Sequence, residues 1–255
     1  MDLSTLVARL DDELRTADYA DVDASANGLQ VGPDEGTVET VAFAVDAAAA
    51  TIDAAVDADA DLLVTHHGFV WGGLDRVTGR EYDLVSRLVE ADLALYVSHL
   101  PLDGHPTLGN AAGVADLLDL GARNRFGELG PEYGGLRGRL QDPLDAEEIA
   151  DRLADELDHG PGGGRVLDFG PDRIEHVAVL TGSGTDWLDE AVAVGADALV
   201  TGEGKQQVYH AAREAGVTVF LAGHYATETF GVRSLADLVD EWGPDTHFVD
   251  HPTGL

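Results

Sequence analysis

The chain has 255 residues, with 48 acidic against 15 basic side chains and a formal charge of −33 at pH 7. Cysteine is absent, which excludes disulfides and thiolate metal sites, and no stretch approaches the ~20 apolar residues of a membrane span. Acidity of this order argues against nucleic acid as a direct partner, because phosphate binding needs a basic surface.

The acidic residues are spread along the chain rather than gathered in a tail. With 44% hydrophobic residues in periodic runs, the chain is not a disordered one. In molar salt the screening length shrinks to about 3 Å, so carboxylate self-repulsion is suppressed. The composition therefore resembles that of proteins from extremely halophilic archaea. A calcium-binding explanation lacks a D-x-D-x-D-G loop. The N-terminal stretch carries Leu3, Leu6, Val7, Leu10 and Leu14, the stripe of an amphipathic helix, and is too acidic and interrupted for a signal peptide. The expectation is a soluble, cytoplasmic protein.

After this helix come Asn27, Gly28, Leu29, Gln30, Val31 and Gly32, flanked by turn formers. Residues 38–46 read as a strand, 47–56 as a helix and 61–66 as a second strand. A helix follows over 81–91 and a strand over 93–98. HLPLDGHPTLGN, starting at His99, reads as a loop by its proline and glycine content, and a helix over 110–119 closes this part. From Gly121 the texture changes to glycine-rich turns around GLRGRLQ, read as a strand, and EEIADRLADEL, read as a helix. The run Gly160, Pro161, Gly162, Gly163, Gly164 reads as a surface turn, since it lacks the lysine and following helix of a phosphate-binding loop. An amphipathic helix over 227–241 and a short strand, THFVD, end the chain.

The chain also repeats itself. VAFAVD…DLLVTHHG (41–68) aligns without a gap on VAVLTG…DALVTGEG (177–204), an offset of 136 residues that places Asp61 on Asp197 and Thr65 on Thr201. LALYVSHLPLD (93–103) matches TVFLAGHYATE (218–228) at an offset of 125, placing His99 on His224 and Asp103 on Glu228. The expected fold class is α/β, with two similar lobes from an internal duplication whose strand ends face one another. The lobes are expected at residues 1–125 plus 226–255 and at 126–225, with a metal site at their interface.

The strand ends of the two copies offer His66 and His67, His99 and Asp103, Glu203, and His224 and Glu228. Adjacent histidines on a strand serve one site only if the chain bends there, and Gly68 permits a bend. Imidazole mixed with carboxylate suits divalent transition metals. Two such ions about 3.5–4 Å apart need a carboxylate that bridges them, and sites of this kind run hydrolysis.

In this order NGLQVG, VTHHGFVWGG, HLPLDGHPTLGN, TGEG and AGHYATE resemble the signature blocks of the Nif-three-like family, and the resemblance covers nearly the whole chain. It implies a toroidal hexamer with a dinuclear metal centre, and some members carry the name GTP cyclohydrolase I type 2. By motif, the implied ligands are His66, His67, Asp103, His224 and Glu228. Asp103 would share one ion with a member of the histidine pair, His224 the other ion with its neighbour, and Glu228 would touch both. The metals are expected among Zn, Fe, Mn, Ni and Co.

His99 and Glu203 are the candidate acid or base. Pro101 separates HLPLD from YATE, which can begin a helix, so equal spacing need not mean equal geometry. Phe69 and Trp71 read as core aromatics that could also stack on a base. Asn27 and Gln30 either orient a ligand or hold a loop. His105, His176, His210, His247 and His251 read as structural or exposed. The leading reading is a dinuclear metal-dependent hydrolase, which the resemblance extends to opening the purine ring of a nucleotide such as GTP. The alternative is a metal-binding, regulatory or metal-storage ring without catalysis. Partners are other copies of the chain and a nucleotide substrate.

Overall fold

Leu3, Leu6, Leu10 and Leu14 recur at helical spacing, and all four are buried on one side of α1 (Leu3–Leu14). The computed structural model describes residues 1–158 and 163–255, so Gly160, Pro161 and Gly162 of the expected glycine turn lie outside the described residues. The chain divides into two units, 1–102 with 231–251, and 103–230 with 252–255.

In the first unit α1 leads to β1 (Gly28–Val31), β2 (Thr40–Asp46), α2 (Ala49–Asp57), β3 (Leu62–His67), α3 (Arg80–Glu90) and β4 (Ala94–Val97). A single helical turn, α4 (Leu100–Asp103), spans the point where the division falls. This corrects the reading of HLPLD as plain loop. Pro101 sits within the first turn, where its missing N–H costs nothing, and the turn is closed by Leu102 N–H donating to the His99 carbonyl at 2.9 Å.

The second unit contains α5 (Asn110–Leu117), β5 (Gly121–Leu129), β6 (Glu132–Leu144), α6 (Ala146–Glu156), β7 (Arg165–Leu167), β8 (Ile174–Val179), α7 (Leu188–Ala193), β9 (Ala198–Thr201), α8 (Gln207–Ala215), β10 (Thr218–Leu221) and α9 (His224–Thr227). Helix α10 (Thr229–Trp242) and β11 (Asp245–Phe248) complete the chain.

The first sheet has the order β1-β4-β3-β2-β11, parallel throughout except for the antiparallel β1. The second has the order β5-β6-β8-β9-β10-β7. Its parallel core β8-β9-β10 is flanked by the β5/β6 hairpin and the antiparallel β7. In β8, Val177 and Val179 pack with Ala112, Ile149 and Leu153, whereas Ala178 packs with Leu188, Val208 and Ala212. Alternate residues thus feed two cores, so this sheet is covered on both faces, the condition under which parallel strands read as unbroken apolar runs.

The 136-residue repeat recurs in the hydrogen bonds. Val41 faces Leu62 in one sheet and Val177 faces Ala198 in the other, which is the 136-residue offset at both strands. Asp61 Oδ2 accepts from the N–H groups of Glu39 and Thr40, and Asp197 Oδ2 accepts from those of Glu175 and His176, again 136 residues on. Each carboxylate accepts from two consecutive backbone N–H groups at or near the start of a strand. Asp61→Ala and Asp197→Ala are expected to lower stability by similar amounts, about 1 to 2 kcal/mol each. Thermal unfolding in molar KCl checks this; a cost for only one of them would sink the equivalence.

Candidate metal centre

In the first unit, β3 and β4 end side by side and deliver three imidazoles. His66 is fully buried, and His67 and His99 are half-buried. The rings of His66 and His67 lie 4.5 Å apart between centroids, and His99 is 5.1 Å from the first and 5.7 Å from the second. One nitrogen from each of the three lies within 4.8 Å of the others. The convergence does not depend on a left-handed bend at Gly68. That glycine is needed for close approach, because a Cβ there would meet the Gln30 amide at 2.6 Å and Val97 at 2.8 Å.

Each ring is held through Nδ1. His66 Nδ1 lies 2.9 Å from the Ser98 carbonyl, which can only accept, so this nitrogen carries the proton. His67 Nδ1 lies 2.9 Å from Asp46 Oδ1, and His99 Nδ1 lies 2.9 Å from Asp23 Oδ1. An imidazole tied to an oxygen acceptor at Nδ1 presents Nε2 as its basic atom, the arrangement that metal-binding histidines adopt. Asp23 also accepts from the N–H groups of Ser25 and Leu100 and from the Asn27 amide. Burial alone would raise its carboxyl, but the bonds and charge of His99, with Asn27 and Ser25, outweigh that and hold it below the usual range.

The second unit has its own cluster of carboxylates and one imidazole. Asp103 Oδ1 accepts from the Asn110 amide at 2.8 Å and from the Thr181 hydroxyl at 3.1 Å. An oxygen of Asp103 and one of Glu228 lie within 4.8 Å of each other, and Glu228 Oε2 is 3.2 Å from His224 Nε2. Glu228 is therefore within reach of both Asp103 and His224, as a bridging ligand must be. Both carboxylates are buried, and oxygens of two carboxyl groups that close suit a shared cation or a shared proton. Gly182 makes room for them: with φ +60°, its added Cβ would lie 2.4 Å from Glu228 Oε1 and 3.2 Å from His224 Nε2.

His224 is anchored like the others, its Nδ1 lying 3.2 Å from Glu203 Oε1. Burial would lower its pKa, yet Glu228 and Glu203 prevail and raise it from 6.5 to about 9. The folded state then holds the proton more tightly than the unfolded chain. Its stabilisation is fully present below pH 6.5 and is lost as pH rises through about 9. In metal-free protein, the unfolding temperature of wild type minus that of His224→Gln is expected to shrink across this window. A constant difference would contradict the linkage. Glu203 is half-exposed and accepts from the Ser183 hydroxyl at 2.5 Å, the main reason its carboxyl is held below the usual range. It positions His224 and, ionised at neutral pH, is poorly placed to donate a proton.

The ladder also corrects the sequence equivalence of His99 and His224. Ser98 N–H donates to the Thr65 carbonyl, and Ala222 N–H donates to that of Thr201. Thr65 and Thr201 are equivalent, so Ser98 matches Ala222, an offset of 124 rather than 125. His99 accordingly matches Gly223, and His224 is the first residue of α9. The two histidines therefore occupy different positions relative to their strands.

Asn27 and Gln30 hold loops. Asn27 Oδ1 accepts from His99 N–H at 2.8 Å, and Gln30 Oε1 accepts from Phe69 N–H at 3.2 Å. Phe69 is core, as expected, but Trp71 is 45% exposed, contrary to expectation. Its Nε1–H is tied to the Gly68 carbonyl and its ring stands edge-on to His99 at 5.0 Å. His105 accepts the Leu108 N–H within its own turn, and His176, His210, His247 and His251 are exposed. Sequence reasoning missed the anchors Asp23 and Asp46, together with Thr181, Ser183 and Gly182. Asp46 alone carried a signal, as the polar end of the strand that pairs with β3.

A family model described as Duf34/NIF3 (NGG1p interacting factor 3) matches residues 1–252. The chain is similar to a protein of Halobacterium salinarum called GTP cyclohydrolase 1 type 2 homolog, 60% identical over 255 residues and covering all of both chains. A protein of Archaeoglobus fulgidus with the same name is 40% identical over 256 residues, again covering all of both chains. Among solved structures, TTHA1606 from Thermus thermophilus aligns over all of both chains with 39% identity and a TM-score of 0.89. The protein ybgI, described as of unknown function, does so with 34% identity and a TM-score of 0.90.

Proposed function

The chain belongs to the DUF34/NIF3 family, and from that membership we propose that it is a metal-dependent hydrolase with two divalent ions per chain, held by His66, His67, Asp103, His224 and Glu228. The observation that carries this reading is the donor set. His66, His67 and His224 are each fixed at Nδ1 by an oxygen acceptor, and Glu228 lies within reach of both Asp103 and His224. Such a mixture of imidazole and carboxylate suits Zn, Fe, Mn, Ni or Co. When bound, paired ions supply an acidified water and a clamp for the attacking and leaving oxygens.

The chain's own residues do the rest. Asp46, Ser98 and Glu203 fix the imidazoles, and Asn110 and Thr181 fix Asp103. His99, oriented by Asp23, offers Nε2 beside the histidine pair to carry a proton to or from a substrate. The substrate proposed is a purine nucleotide, after the name carried by the relatives, with ring opening and release of formate. Assembly as a homohexameric toroid belongs to the same proposal and is read by light scattering.

The test is formate release and product mass with GTP in molar KCl, on protein loaded in turn with Zn, Mn, Fe, Ni and Co. Metal-dependent release that Glu228→Ala abolishes is the expected result. Two bound ions with GTP unchanged would remove this activity and leave a metal-binding or regulatory ring. Retention of both ions in Glu228→Ala and in His67→Ala would overturn the ligand set.

A further inference from the structure

At the carboxyl ends of β9 and β10 the second unit holds a cavity of about 410 Å³. Its walls include Arg165, Lys205 and His210 and the apolar side chains of Leu167, Val208 and Leu221. None of its nine described lining residues is acidic, in a chain where 48 of 255 are. Over most of this surface an anion meets repulsion, so a hollow whose described lining carries Arg165 and Lys205 and no acidic side chain, with Asp186 at its rim paired to Lys205, is a place where an anion is better received. Open α/β sheets also bind ligands at this edge of their strands.

The basic groups are placed from different elements. Arg165 opens β7 and pairs in register with Leu221 at the end of β10. Lys205 follows β9 and lies 2.8 Å from Asp186, both side chains being more than half exposed. Such a pair is weak in water and yields to a better anion. Tyr209 beside them is steadied edge-on against Phe169 at 5.1 Å. The volume exceeds what a bare phosphate fills and falls in the range of small-molecule pockets. The apolar wall calls for an organic body as well as a charge.

We propose that this cavity binds a small phosphorylated organic molecule of nucleotide size, its phosphates on Arg165 and Lys205 and its body against Leu167, Val208 and Leu221. The site shares no residue with the proposed metal ligands and stands independently of them.

Equilibrium dialysis in molar KCl with a chelator tests it, using GTP, guanosine and inorganic triphosphate as probes. The wild type is expected to retain GTP, and the other two more weakly. Arg165→Gln with Lys205→Gln is expected to weaken GTP binding by about tenfold per cation removed, with an unchanged circular dichroism spectrum. Asp186→Asn, which frees Lys205, is expected to tighten it. No retention of GTP by the wild type, or equal retention by the double variant, would overturn the site. Guanosine binding as tightly as GTP would overturn the role of the cations, and triphosphate binding as tightly would overturn that of the apolar wall.

Discussion

Transfer from molar KCl into dilute buffer is expected to unfold the protein at temperatures where it is otherwise native. The formal charge of −33 arises from 48 carboxylates against 15 basic groups, so most carboxylates have no basic partner to face. At molar salt the screening length is about 3 Å, and at 0.01 M about 30 Å, so repulsion among these carboxylates spreads across the fold as salt is withdrawn. Exposed ion pairs such as Arg15 with Asp18 and Lys205 with Asp186 contribute about 0 to 1 kcal/mol each. They do not offset a repulsion on the scale of the ~5–15 kcal/mol that keeps a domain folded. Unfolding temperature should climb steadily with KCl or NaCl and recover when salt is restored. A melting temperature independent of salt would show that the acidic surface has another purpose.

Gly182→Ala is expected to cost stability and to empty the proposed metal centre together. The residue has φ +60°, where a Cβ is strained by about 1 to 2 kcal/mol. The same Cβ would lie 2.4 Å from Glu228 Oε1, a buried atom within a crowded cluster. Gly182 O meanwhile accepts from the N–H groups of Gly202 and Glu203, which limits any backbone shift. The control is Gly195→Ala, with φ +75° and nothing near its Cβ, which carries the backbone strain alone. Elemental analysis and thermal unfolding of the two variants separate the effects. Full metal content in Gly182→Ala, with destabilisation no greater than in Gly195→Ala, would refute the cradle.

Much of this was legible from residue order. Apolar runs ending at His66, Ser98, Thr201 and Ala222 marked the parallel strands, because a strand covered on both faces must be apolar at successive positions. The gap-free offset of 136 was legible for a firmer reason: equal chain lengths between β2 and β3 and between β8 and β9 preserve hydrogen-bond register, down to the paired roles of Asp61 and Asp197. The nearness of Glu228 to His224 was readable from its place four residues further on, one helical turn away.

Other features were decided only by the folded chain. Matching histidine to histidine aligned His99 with His224, but ladder hydrogen bonds count residues along the strand and put them one position apart. The anchor of His99 lies 76 residues away at Asp23, and that of His67 lies 21 away at Asp46, separations at which no local pattern couples two side chains. Trp71 resembles a core aromatic in the one-dimensional pattern, yet the loop after β3 carries it outward and ties it to Gly68. Local sequence determined which donors exist and at which strand ends they stand. Packing of distant segments determined which nitrogen each imidazole presents, because that depends on the acceptor the fold brings to the other one.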